Sequence, residues 1–147
     1  MKSSRSAIVA SIAVLVLGAC HPQSGPETAP APQGASLAQV YFWRAKPGMV
    51  EAYSTYIRDV AQPIDEDARR HGAFISVTTY QSRDTLSAWT HMRVFLLRDS
   101  TQLAALGAAL NAAGARIEPD SAKRRARSDY AATLRDAAGT AVLQIIH

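Results

Sequence analysis

The chain has a single cysteine, Cys20, in 147 residues. One cysteine closes no intrachain disulfide and builds no cysteine-based zinc site. No apolar run reaches the ~20 residues that a helix needs to span a bilayer; the longest, residues 7–19, is broken only by Ser11 and Gly18. An excess of one charge is also missing. Sixteen Lys and Arg stand against twelve Asp and Glu, a formal net charge of +4. Two of those cations, Lys2 and Arg5, lie in a segment read below as removed, so no nucleic-acid partner is expected. There is no glycine-rich phosphate loop, no H-E-x-x-H and no G-x-S-x-G. The hydrophobic fraction, 48%, is that of a globular chain and excludes wholesale disorder. At this length there is room for one domain and a tail.

The first twenty residues read MKSSRSAIVASIAVLVLGAC. Lys2 and Arg5 form a positive start, and residues 7–19 have the length of a signal-peptide core. The run ends in Leu17-Gly18-Ala19-Cys20, which resembles the lipobox of bacterial lipoproteins. Small residues let the extended backbone enter a peptidase cleft, and the thiol accepts a diacylglycerol. Two or three acyl chains then hold a protein firmly to a membrane, at ~0.8 kcal/mol per buried CH₂. Residues 1–19 are therefore expected to be a signal peptide, with Cys20 the lipidated first residue of the mature chain. The competing reading, an ordinary secretory signal with Cys20 a coincidence, still exports the protein. His21 follows the acylated position. By resemblance to enteric lipoproteins, the lack of Asp there favours the outer membrane, facing the periplasm.

Residues 20–36 contain four of the seven prolines, Pro22, Pro26, Pro30 and Pro32, and show no hydrophobic period. At ~3.1 Å per residue such a tether holds a domain up to about 45 Å from the lipid. The texture changes over residues 37–147, the expected domain. Residues 37–44 (LAQVYFWR) read as a strand that stops at the Lys46-Pro47-Gly48 turn. Val50, Tyr53, Ile57, Val60 and Ile64 then mark one stripe of an amphipathic helix, with Pro63 predicted to kink or split it near Gln62. Residues 73–80 and 88–97 read as two strands of a hairpin. Asp99 or Ser100 can cap a helix ending near Gly114, and Asp120 or Ser121 one ending at Gly139. Residues 140–146 read as the last strand.

The order β-α-β-β-α-α-β is that of an α+β, ferredoxin-like fold: an antiparallel sheet with helices on one face. Val40/Phe42, Ile75/Val77 and Met92/Val94/Leu96 are expected to face the helices. Tyr41/Trp43, Phe74/Ser76/Thr78/Tyr80 and His91/Arg93/Phe95 then fall on the bare face. A face so apolar calls for a second copy, so a homodimer is expected.

The opening strand, the KPG turn at 46–48, the amphipathic helix and the hairpin with its aromatic third strand together resemble the dimeric α/β-barrel superfamily. More narrowly they resemble antibiotic-biosynthesis-monooxygenase-like domains. The resemblance covers most of residues 38–147; the helical segment near 120–138 departs from the minimal form. It implies a ferredoxin-like dimer. Some members are cofactor-free oxygenases of quinols or polyketides, some degrade haem, and many have no known activity. The sole asparagine, Asn111, lies on the helix after the hairpin, so the Asn/His/Trp set of the haem-degrading relatives does not map. No cofactor is expected.

His91, beside Arg93 in mid-strand, is the candidate general base, with Arg93 a holder of a carboxylate or phenolate. The competing roles are a hydrogen bond across the dimer for His91 and an ion pair to a partner acid for Arg93. Tyr41, Trp43, Tyr80 and Phe95 are candidate walls of an apolar ligand pocket, or else interface packing. Asp65, Glu66 and Asp67 occupy consecutive helix positions and so cannot share one ion; no metal is expected. The Lys123, Arg124, Arg125 and Arg127 run can touch anionic lipid, with a solvated helix face as its default. The leading expectation is a lipid-anchored cell-envelope protein with a dimeric binding or interaction domain and no catalysis. The alternative is a small cofactor-free monooxygenase or isomerase of an aromatic or quinone-like substrate.

Overall fold

The computed structural model describes residues 34–146. The signal segment, Cys20, the tether up to residue 33 and His147 lie outside the described residues. The elements run β1 (Leu37–Ala45), α1 (Val50–Tyr56), a π-helical turn (Ile57–Ala61), α2 (Gln62–Arg70), β2 (Ser76–Gln81), β3 (His91–Leu97), α3 (Ser100–Ile117), α4 (Ser121–Leu134) and β4 (Arg135–Gln144). The four strands form one antiparallel sheet in the order β2-β3-β1-β4. This is the ferredoxin-like α+β fold, with the two central strands β1 and β3 far apart in sequence. No helix among the described residues is long and apolar enough to cross a membrane.

The α-helical run is divided just before Pro63, as expected near Gln62: α1 gives way to the π turn, and α2 begins at Gln62. The missing N–H of Pro63 would leave a carbonyl one turn back without a donor. The chain widens to a π turn just before it, with Gln62 N–H bonded to Ile57 O, five residues back. Pro63 thereby falls at the start of α2, where the π turn has already shifted the bonding pattern by one residue. Asp99 and Asp120 are the caps: their carboxylates accept from Gln102 N at 2.9 Å and Ala122 N at 2.8 Å. α3 runs through Gly114 to Ile117. The last strand begins at Arg135, not at residue 140. Gly139, predicted to stop α4, lies inside β4 at φ 142°. There the pairing slips between Phe42↔Gly139 and Trp43↔Ala137, so Ala138 is the extra residue of a β-bulge.

The faces of β1 and β3 are the reverse of the sequence expectation. Phe95 and Leu97 are buried against Ala68 of α2 and Leu106 and Ala113 of α3, with Tyr41 and Leu37 packed alongside. Tyr53, Ile57, Ala45 and Leu134 form a second cluster, which Trp43 joins. Tyr41, Trp43, His91, Arg93 and Phe95 therefore lie beneath the chain's own helices. Val40, Phe42, Met92, Val94 and Leu96 fall on the opposite face, in neither cluster. On β2 Val77 packs toward the helices as expected, and Tyr80 pairs with Met92 on the opposite face and is 48% exposed; Phe74, expected on the bare face just before this strand, is instead buried in the core, 5.0 Å from Phe95. The reason is polar satisfaction. His91 and Arg93 find hydrogen-bonding partners on the helices, Ser54 and Asp65, whereas the aliphatic set needs none.

Candidate functional site

Two places in the fold gather chemistry. The first is a cleft of about 770 Å³ between the π turn, α3, α4 and the start of β4. Its apolar wall is Val60, Ile64 and Leu110, its aromatic edge is Tyr56, and its cations are Arg124, Arg127 and Arg135. Arg124 and Arg127 are three residues apart on α4 and so share a helix face. Arg124 Nη1 donates to the carbonyls of Glu118 (2.8 Å) and Pro119 (2.7 Å), closing the α3–α4 turn. Arg127 lies 3.4 Å from the Glu118 carboxylate. Arg135 is held differently. Its guanidinium carbon sits 3.3 Å from the centroid of the Trp43 ring and 5.3 Å from that of Tyr53. Its buried Nε has no hydrogen-bond partner. Burial pushes the Arg135 pKa down and raises that of Tyr53 to about 12, so Tyr53 stays neutral beside it. Asp136 is the one acid on the cleft wall.

The second place surrounds His91, which is 2% exposed. Its Nδ1 lies 3.0 Å from Thr90 Oγ1 and its Nε2 lies 3.0 Å from Ser54 Oγ. The Tyr53 ring meets it edge-on, with centroids 4.7 Å apart. Desolvation lowers the His91 pKa from its usual 6.5, which keeps the imidazole neutral. The hollow beside it, lined by Ser54, Ile57, Thr79, Gln81 and His91, holds about 160 Å³.

Of the residues singled out in the sequence, five come together and one does not. Tyr41 stacks with Trp43 at 6.5 Å and meets Phe95 edge-on at 5.8 Å. Arg93 lies over Phe95 at 5.2 Å and makes its ion pair with Asp65 of its own chain, not with a partner acid. Tyr80 is on the other side of the sheet. Asp67 is taken by Arg116 at 2.6 Å. Arg135, Tyr56 and Ser54 escape a sequence reading. Arg135 was placed on a helix rather than a strand, and a serine at a helix position carries no motif. The i, i+3 spacing of Arg124 and Arg127 was the visible signal, read there as a surface face.

No family model matches the chain, and no curated protein matches it in sequence. Among solved structures it is similar to HapK from Hahella chejuensis. The TM-score is 0.52 at 6% identity, over 75% of this chain and 92% of that one. PA3566 from Pseudomonas aeruginosa gives a TM-score of 0.47 at 15% identity, over 80% of this chain and 98% of that one. At this identity the likeness to HapK shows the fold and nothing more.

Proposed function

We propose that this is a lipid-anchored domain of the cell envelope, held by Cys20 and dimeric through its bare sheet face, that binds a small anionic ligand with an apolar body. The cleft carries the reading. It has the volume of a small-molecule site, since such sites run ~300–1,000 Å³. It also sets an apolar wall against three arginines and one acid. A planar carboxylate or phenolate matches the guanidinium fork that Arg135 brings to the cleft wall.

The oxygenase or isomerase alternative asks for a cavity of ~300 Å³ or more beside His91 and Arg93. The hollow that His91 lines is about 160 Å³ and the adjoining one of about 380 Å³ has no aromatic wall, Arg93 is committed to Asp65, and Tyr80 and Trp43 do not share a face. Binding is therefore preferred over aromatic oxidation. Native mass spectrometry of the purified domain tests this by the small molecules it retains. Calorimetry with 1-naphthoate gives the expected outcome a number: one site per chain, weakened about tenfold by Arg135→Gln. Retention of nothing, together with naphthoate heats no different from buffer, would refute the ligand-binding reading.

A further inference from the structure

Ser54 and His91 form a hydrogen-bonded pair on the wall of a small hollow. Thr90 Oγ1 accepts from Ala45 N–H at 2.7 Å, and its hydroxyl donates to Trp43 O at 3.3 Å. The same Thr90 Oγ1 lies 3.0 Å from His91 Nδ1 and fixes the orientation of the ring. Nε2 lies 3.0 Å from Ser54 Oγ, and in the tautomer with the ring proton on Nδ1 its lone pair points at that hydroxyl. This is the arrangement by which a histidine base, itself oriented by a third group, activates a hydroxyl. Ser54 is half-buried, and it borders both the 160 Å³ hollow at His91 and a second of about 380 Å³ that includes Arg58, Gln62, Asp65 and Glu66. Of the two acids there, Asp65 is paired with Arg93 and Glu66 with Arg69.

We propose that Ser54 is a nucleophile activated by His91, and that this site, separate from the cleft, transfers acyl groups from small uncharged esters. The smaller hollow takes a short acyl group, and the larger, polar one takes the alcohol. Ser54 Oγ adds to the ester carbonyl carbon while its proton passes to His91 Nε2. The bond from that carbon to the alcohol oxygen breaks, and the alcohol leaves with the proton from His91. Water, with His91 again as base, then cleaves the acyl-serine to a carboxylic acid and restores Ser54. The Gln81 carboxamide oxygen also accepts from Ser54 Oγ at 3.3 Å. In the resting state Ser54 Oγ is also 2.9 Å from Val50 O, so the carbonyl and the imidazole compete for one proton.

The full chain in detergent micelles, treated with p-nitrophenyl acetate, tests this directly. The expected result is a burst of nitrophenolate of up to one equivalent, with one acetyl group mapped to Ser54 in the tryptic peptide ending at Arg58. Ser54→Ala and His91→Gln lose that label at least tenfold, while Ser121→Ala, at an exposed helix serine, keeps it. Acetyl on lysines alone, or no burst from the wild-type chain, overturns the proposal. So does the imidazole ¹⁵N spectrum of wild-type protein if it places the His91 ring proton on Nε2. The burst, the mapped site and the spectrum are all read on wild-type protein, so a variant that fails to fold does not decide the matter.

Discussion

The Arg135 guanidinium sits over the Trp43 indole, its central carbon 3.3 Å from the ring centroid, and this contact ties the first residue of β4, a wall of the cleft, to the central strand β1. A cation stacked on an indole is attracted by the ring's negative face, by ~1–2 kcal/mol when partly desolvated. The stack also fixes the direction in which the remaining N–H groups point. Arg135→Lys keeps the charge and loses the planar fork, so it is expected to weaken naphthoate binding nearly as much as Arg135→Gln. Calorimetry on the two variants checks this. Full affinity in the lysine variant would mean that charge alone, and not the fork, holds the anion.

Asp65 and Arg93 are expected to be the pair whose rupture most destabilises the domain. Both side chains are nearly buried, with 6% and 14% of their surface exposed, and Arg93 Nε already has no partner. Removing one member of a buried pair strands the other charge and costs ~3–5 kcal/mol. For a domain of this size Asp65→Ala should therefore lower Tm by at least about 10 °C. The double replacement Asp65→Leu with Arg93→Met removes both charges and should recover most of that loss. Thermal melts of the single and double variants read both effects, and a double variant as unstable as the single one would contradict the account.

The pH dependence of stability has two separate acid limbs. The His91 pKa is depressed in the folded protein because burial disfavours its cation. As pH falls below 6.5, the unfolded chain therefore takes up a proton that the folded chain resists, and stability declines. Asp67 is lowered from 3.8, chiefly by its hydrogen bond with Arg116. Its contribution is complete above that value and is lost as pH falls through the lower folded pKa. Urea midpoints measured from pH 7 to about 5 should slope downward in the wild type and flatten in His91→Gln. Asp67→Asn should leave that slope intact and alter only the limb below 3.8.

How much of this was visible in the residues depends on whether local chemistry or tertiary pairing sets the outcome. The element order, the hairpin and the caps at Asp99 and Asp120 follow from periodicity and side-chain oxygens, which act within a few residues. The facing of β1 and β3 does not, because both alternating sets are apolar and period two gives the alternation but not its sign. Ser54 and Asp65, two helix residues, decide that sign by satisfying His91 and Arg93. β4 was read short for a similar reason. Arg-Asp-Ala-Ala at residues 135–138 has no strand pattern of its own and is extended because it pairs with Trp43, Arg44 and Ala45. The cleft therefore stayed out of sight, since Arg135 is one of its walls.

The proposed anchor rests on Cys20, and one substitution would separate an acylated protein from an exported one. Cys20→Ser removes the thiol that takes the diacylglycerol. Incorporation of radiolabelled palmitate is expected to fall to background while the chain is still made. Unchanged incorporation would refute the anchor.

The face of the sheet turned away from the helices is aliphatic: Ala38 and Val40 on it are 5% and 2% exposed, and Phe42, Met92, Val94 and Leu96 are half-buried, so a twin is proposed for its open part alone. Ala38, Val40, Phe42, Met92, Val94, Leu96 and Leu143 share it through the pairings of β1 with β3 and β4, with Trp89 set against Phe42 at 5.9 Å. Tyr80 and Leu143 on its flanks are 48% and 53% exposed. A monomer that left this surface to water would forfeit ~25 cal/mol for each Å² that a partner could cover, and a stable interface covers ~800 Å² per chain. Val94 stands near the middle of the face, opposite Val40. In a two-fold dimer, Val94→Lys places two like charges in one apolar layer, whereas in a monomer the lysine extends into solvent and costs little. Light scattering on residues 34–147 should report twice the chain mass for the wild type at micromolar concentration. Val94→Lys should give the mass of one chain, with circular dichroism unchanged. A wild-type domain that scatters as a single chain at that concentration would leave the face without its twin.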